Sequence, residues 1–239
     1  DTGNKCYNIL LYGDSIMKGV VYDDIKRKYR ILGNAFANTL KSKINGRITN
    51  AARFGNTIKK GAKRLFSDVT EKNPDIVLIE FGGNDCDFNW NEIAKDPEGK
   101  HRPKTDLNEF EKTLENTIKK LTQKGIRPVL LTIPPIDSER YYAWVSKGDS
   151  ERAKNILKWL GDVTQIHKWQ SRYNEIVREI AAKTDTVLID IREEFMKTGN
   201  YVYYLCSDGI HPNEKGHELI ASKIEAYLES KYPFLLKHG

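Results

Sequence analysis

The chain has 239 residues, 39% hydrophobic and 30% charged, and no apolar run approaches the ~18 residues of a membrane span, so a spanning protein is excluded and a soluble globular one expected. The net charge of +6 raises the question of nucleic acid, centred on the basic run "KRKYR" at Lys26–Arg30. Acidic residues are spread through the whole chain and no nucleic-acid motif accompanies the run, so it reads as a solvated helix face and no nucleic-acid partner is expected.

In chain order, the first β-type run is Tyr7–Tyr12, and it stops at Gly13-Asp14-Ser15 before a helical pattern. A second short run, Arg47–Asn50, leads into "NAARFGNT" with Gly55. A third, Ile76–Phe81, ends in Gly82-Gly83-Asn84-Asp85. The segment near 86–105 holds Phe88, Trp90 and two prolines and reads as a long loop. Leu107, Phe110, Leu114, Ile118 and Leu121 then recur at spacings of three and four, the stripe of an amphipathic helix. Asp106 and Glu109 suit a capping box at its start and Gly125 suits its end. Pro128–Ile133 is the fourth strand, followed near 136–170 by an aromatic, largely helical segment with Tyr141 and Trp144. Thr186–Ile191 is the fifth, and a last helix is expected from Pro212.

The strands are nearly continuous in apolar residues, as strands buried on both faces are, and strand and helix alternate throughout. The pattern predicts one doubly wound α/β domain over 1–239, with a parallel sheet and rim insertions near 86–105 and 136–170. Ligands of such sheets bind outside the carboxyl ends of the strands, where these insertions would stand.

Cys6, Cys86 and Cys206 form no C-x-x-C pair, and an odd count argues against a disulfide framework. Reduced thiols suggest a cytoplasmic location. The sequence opens at Asp1 without an initiator methionine, so a removed signal peptide would leave no trace. Neither H-e-x-x-h spacing nor paired cysteines occur, so no metal and no cofactor are expected.

Ser15, exposed at the end of a strand and near free backbone N–H groups, suits a nucleophile; a helix cap is the plainer alternative. A serine hydroxyl needs a base. Of His101, His167, His211, His217 and His238, only His211 follows an aspartate, Asp208, by three residues in a turn. That spacing lets the carboxylate fix one ring nitrogen and leaves the other free to accept a proton. Asn84 offers a side-chain donor and Gly55 an unobstructed backbone N–H, though both also suit ordinary turns. His217 reads as a surface residue of the last helix and Cys86 as a bystander thiol.

Together, Gly13-Asp14-Ser15, Gly55, Gly82 to Asp85 and Asp208-x-x-His211 resemble the blocks of the SGNH hydrolases, the GDSL esterase/lipase superfamily, over residues 13 to 211. Ile16 stands where the family name has leucine. The resemblance implies a three-layer α/β/α flavodoxin-like sandwich with a five-stranded parallel sheet in the order 2-1-3-4-5. It implies Ser15 as nucleophile, His211 as base, Asp208 as its partner, and an oxyanion hole from Ser15, Gly55 and Asn84. The expected activity is hydrolysis of small or medium acyl esters. Acetylated sugars, simple esters, thioesters and lysophospholipids all fit as small-molecule substrates, with Tyr141 and Trp144 as candidate substrate contacts. The alternative is a non-catalytic module that binds a carbohydrate or other ligand on the same rim. The oligomeric state is left open.

Overall fold

The structure is a computed structural model and describes residues 6–237; Asp1 and His238 lie outside the described residues. The elements run β1 (Tyr7–Gly13), α1 (Ser15–Lys18), β2 (Val20–Asp23), β3 (Lys28–Ile31), α2 (Phe36–Lys43), β4 (Gly46–Asn50), α3 (Ile58–Lys72) and β5 (Ile76–Glu80). They continue with α4 (Trp90–Lys95), α5 (Leu107–Gln123), β6 (Arg127–Leu131), α6 (Ser138–Ser146), α7 (Ser150–Leu160), α8 (Gln165–Lys183), β7 (Val187–Ile189), α9 (Ile191–Lys197) and α10 (Glu214–Lys231).

All five apolar runs form one sheet in the order β4-β1-β5-β6-β7, parallel throughout. Numbered among themselves, these strands are in the expected order 2-1-3-4-5. Successive side chains of a strand point to opposite faces, so each apolar strand feeds two cores. Ile9, Leu11, Leu78 and Val129 pack with Phe36, Leu40, Phe195 and Ile224 on one side. Leu10, Tyr12, Val77, Ile79 and Leu130 pack with Leu65, Phe110, Leu114, Ile118 and Tyr173 on the other. The expected stripe of α5 accounts for much of that second core.

Five local expectations are corrected. The basic run is not a helix face: Lys28–Ile31 is a strand paired antiparallel with Val20–Asp23. Lys28 and Arg30 are exposed while Tyr29 between them is half-buried, a period of two rather than 3.6. Asp23 Oδ1 accepts from the N–H groups of Ile25 and Lys26 and closes the turn. The 86–105 segment is not all loop, because it contains α4, capped by the Asn89 side chain. Asp106 occupies the N-cap of α5 but its side chain makes no cap bond, so the capping box is not formed. The last helix starts at Glu214, not Pro212: Asn213 accepts from the Gly216 N–H as its cap, and Pro212 bridges to Leu205. Finally, His217 is 1% exposed rather than on the surface, stacked on Phe36.

Candidate active site

β1 and β5 run side by side, with Gly13 opposite Glu80. A Cβ on Gly13 would lie 2.5 Å from the Glu80 carbonyl oxygen, so only glycine lets the strands stay paired where the chain turns into α1. Asp14, not Ser15, is the cap of that helix: its Oδ1 accepts from the Ile16 N–H at 3.0 Å. Ser15 is therefore left with its hydroxyl uncommitted to capping. α1 is a single turn, closed by Gly19.

His211 comes from the opposite end of the chain. Cys206 N–H donates to the His211 carbonyl at 2.7 Å and Gly209 N–H to the Cys206 carbonyl at 3.0 Å, which folds 206–211 into a tight loop. Gly209 has a φ of 78°, and a Cβ there would meet the Asp137 carbonyl oxygen and Arg140 Cβ at 2.8 Å. This glycine thus provides both the left-handed turn and the close approach to α6.

The two ends meet. Ser15 Oγ lies 2.9 Å from His211 Nε2, and His211 Nδ1 lies 2.6 Å from Asp208 Oδ2. The carboxylate accepts from Nδ1, so the neutral imidazole presents Nε2 as acceptor to the serine hydroxyl. Asp208 Oδ1 accepts from the N–H groups of Ile210 and His211 at 3.0 and 3.1 Å. Asp208 is fully buried, which favours its neutral form. The bonds from His211 and the two backbone N–H groups outweigh burial and hold its carboxyl below the usual range.

Gly55 and Asn84 border the same cleft as Ser15 and His211. Their loops are tied to β1 by a residue that the motifs did not single out. Asn56 Nδ2 donates to the Gly13 carbonyl at 3.3 Å, and its own carbonyl accepts from Asn84 Nδ2 at 3.2 Å. Asp85 fixes the same loop from below, accepting from the Ile58 N–H at 3.0 Å and the Thr105 hydroxyl at 2.7 Å. Burial pushes its carboxyl up to about 6, against the pull of those bonds. Glu80 is also buried beneath the turn, and burial followed by the neighbouring Asp14 charge drives its carboxyl well up. Burial likewise drives the Cys86 thiol well up, consistent with a bystander role, and its Sγ donates to the Gly83 carbonyl.

The cleft has a volume of about 230 Å³. Its walls include Phe88, Ile133, Ile166 and Trp169, together with the anticipated Tyr141 and Trp144. Tyr141 is buried and its hydroxyl is spent inside the wall, donating to Asp87 Oδ1 at 2.8 Å beside Trp90 Nε1 at 2.9 Å. Trp144 packs edge-on against Tyr22, with ring centroids 4.6 Å apart. Tyr22, Tyr29 and Asp87 were all missed from the sequence. The strand period of "KYRI" was the available signal for Tyr29.

Residues 11–219 match the model of the GDSL-like Lipase/Acylhydrolase family. The chain belongs to this family. It is thus an SGNH-type carboxylic ester hydrolase, whose substrates are small-molecule esters. It is 26% identical over 202 residues to the lipoprotein YqeF of Bacillus subtilis, covering 82% of this chain and 74% of that protein. It is 20% identical over 163 residues to the GDSL esterase/lipase WDL1 of Oryza sativa subsp. japonica, covering 67% of this chain and 56% of that one. The chain therefore spans little more than half the length of the rice protein. Among solved structures, a lipase/acylhydrolase from Enterococcus faecalis shares the fold with a TM-score of 0.66, at 22% identity over 97% of both chains. An acetylxylan esterase from Geobacillus stearothermophilus does so with a TM-score of 0.65, at 20% identity over 99% of this chain and 100% of that one. No helix among the described residues is long and apolar enough to cross a membrane.

Proposed function

We propose that this chain cleaves acyl esters through an acyl-serine intermediate on Ser15, with His211 as general base and Asp208 as its orienting partner. The single observation that carries the reading is the continuous path from the Ser15 hydroxyl through both nitrogens of His211 to the Asp208 carboxylate. The Ser15 proton passes to His211 Nε2 as Oγ bonds to the ester carbonyl carbon. The tetrahedral intermediate collapses, the ester C–O bond breaks, and His211 returns the proton to the leaving alcohol. Water then enters by the same route and releases the acid.

The negative charge of the intermediate falls to the backbone N–H groups of Ser15 and Gly55 and the side chain of Asn84. An amide nitrogen carries two hydrogens. One is held by the Asn56 carbonyl, which orients the group, and the other serves the oxyanion. The apolar wall of Ile133, Ile166 and Trp169 supports an acyl chain longer than acetyl, since its added methylenes would be shielded from water against those side chains. The acetylxylan esterase among the similar structures makes an acetylated sugar the competing substrate. Tyr141 and Trp144 contribute to substrate binding through their ring faces.

A fluorophosphonate probe tests the mechanism. It should form one adduct on the folded protein, mapped by peptide mass spectrometry to Ser15 and absent in Ser15→Ala. A folded protein that takes no probe would remove the serine mechanism. A series of p-nitrophenyl esters alongside acetylated xylo-oligosaccharides tests the acyl group, and the highest kcat/KM is expected for chains longer than acetyl. A clear preference for the acetylated sugar would reverse that assignment.

A further inference from the structure

The hairpin of β2 and β3, inserted between α1 and α2, carries Tyr29 to the buried carboxylate of Asp208. The Tyr29 hydroxyl donates to Asp208 Oδ2 at 2.9 Å, the same oxygen that accepts the His211 Nδ1 proton at 2.6 Å. The Tyr29 ring lies 5.1 Å from that of Tyr22, 5.7 Å from Phe54 and 5.1 Å from His211. Trp144 of α6 closes the packing at 6.2 Å. The hydroxyl is thus aimed by four aromatic neighbours.

We propose that Tyr29 is a positioning residue that competes with His211 for the charge on Asp208 Oδ2, and so sets the pH below which the site loses its base. The proposal rests on the role given to His211 above. A carboxylate has about four acceptor positions. Asp208 fills them with the Ile210 and His211 N–H groups on one oxygen and with Tyr29 and His211 Nδ1 on the other. Asp208 is closed to solvent in the folded chain. Two donors on one oxygen divide its charge. The share that goes to Tyr29 is withheld from Nδ1–H, and the imidazolium is stabilised less than it would be by an unshared carboxylate. The tyrosine remains a donor throughout, since burial and then the Asp208 charge push its hydroxyl well above the usual range.

The surrounding groups do not duplicate this contact. On the hairpin, the Tyr22 ring packs on Tyr29, and Asp24 accepts from the Ser207 hydroxyl. Arg140 of α6 is committed to the carbonyls of Val202, Leu205 and Cys206. Burial pushes the Cys206 thiol up to about 11 and the His217 ring of α10 down to about 4. Asp14, at the start of α1, is buried and acts on His211 only through its charge. Among the described residues, Tyr29 is the one hydrogen-bond donor to Asp208 from outside the 208–211 turn.

Tyr29→Phe removes the hydroxyl and keeps the ring. Two measurements compare it with wild type: the pH profile of kcat/KM on a water-soluble ester, and the proton NMR resonance of His211 Nδ1–H. The variant's acid limb should move to higher pH by about half a unit or more, with KM within about twofold. The Nδ1–H resonance should move further downfield. Tyr29→Ala, which also removes the ring, should raise KM several-fold. An acid limb and a resonance that coincide with wild type in Tyr29→Phe overturn the proposal. A wild-type protein that hydrolyses no ester removes the base role of His211 itself, while the resonance still decides whether Tyr29 and His211 share Asp208.

Discussion

His217 makes folding itself sensitive to acid. Its Nδ1 accepts from the Phe36 N–H at 3.2 Å, so the ring proton sits on Nε2, which has no hydrogen-bond partner among the described residues. The neutral ring suits this place and the charged ring does not: a proton on Nδ1 would break the bond to α2 and place a cation in the core. Burial, with a smaller contribution from His211, lowers the titration of this ring from 6.5 to about 4. At about 1.4 kcal/mol per unit, that difference corresponds to ~3 kcal/mol between the two protonation states. The unfolded chain takes up the proton first. Stability from the neutral ring is therefore complete above about pH 6.5, drains away as the pH falls towards 4, and changes little below that. His217→Gln keeps an acceptor for the Phe36 N–H and does not titrate. Urea unfolding of both proteins at intervals from pH 7 to pH 4 isolates the effect, because the other titrating groups are common to both. Wild type should lose about 3 kcal/mol more than the variant over that range. Parallel stability curves would falsify the assignment of a neutral, buried His217.

Two further predictions concern the site. Asn84→Ala should lower kcat by about 10²–10³ with little change in KM, as loss of one oxyanion donor does; circular dichroism should show the fold retained, and an unchanged kcat would remove Asn84 from the oxyanion hole. Gly209→Ala should cost both stability and activity, since the new methyl meets the Asp137 carbonyl and Arg140 at a left-handed position. A thermal melt lowered by several degrees, with kcat reduced at least tenfold, is expected from the displaced 206–211 loop. An unshifted melt would mean that α6 gives way without cost.

The sheet could be read from the sequence because both of its faces are covered. A strand buried on two sides must be apolar at nearly every position, and that pattern survives without knowledge of its neighbours. The order of the strands could not be read in the same way and came only with the family resemblance. Ser15 and the Asp208–His211 pair were readable because each lies in a short turn whose chemistry is local. The elements missed are those decided by contacts distant in sequence. Lys26 to Arg30 has the composition of an exposed helix face, and only the pairing of Lys28–Ile31 with Val20–Asp23 makes its second half a strand and its first half a turn. His217 reads as a surface residue, yet it stands three and seven residues before Ile220 and Ile224 on the buried face of its helix, where it meets Phe36, 181 residues away.

The same distinction explains how four separated segments act as one site. Ser15, Gly55, Asn84 and His211 are presented by turns, and turns alone would leave their mutual distances loose. Asn56 joins the first three through the carbonyl of Gly13 and the side chain of Asn84, while Asp85 holds the start of α3 beneath them. On the histidine side, Asp137 N–H donates to the Gly209 carbonyl, Arg140 binds three carbonyls of the 202–206 segment, and Tyr29 reaches Asp208 from the hairpin. Of these supports only Asp85 and Gly209 lie within the short motifs, and a displacement of one ångström between hydroxyl and imidazole can cost about 10²-fold in rate. The motifs therefore supply the reacting groups, and side chains and backbone carbonyls drawn largely from other elements supply most of the precision that lets those groups react.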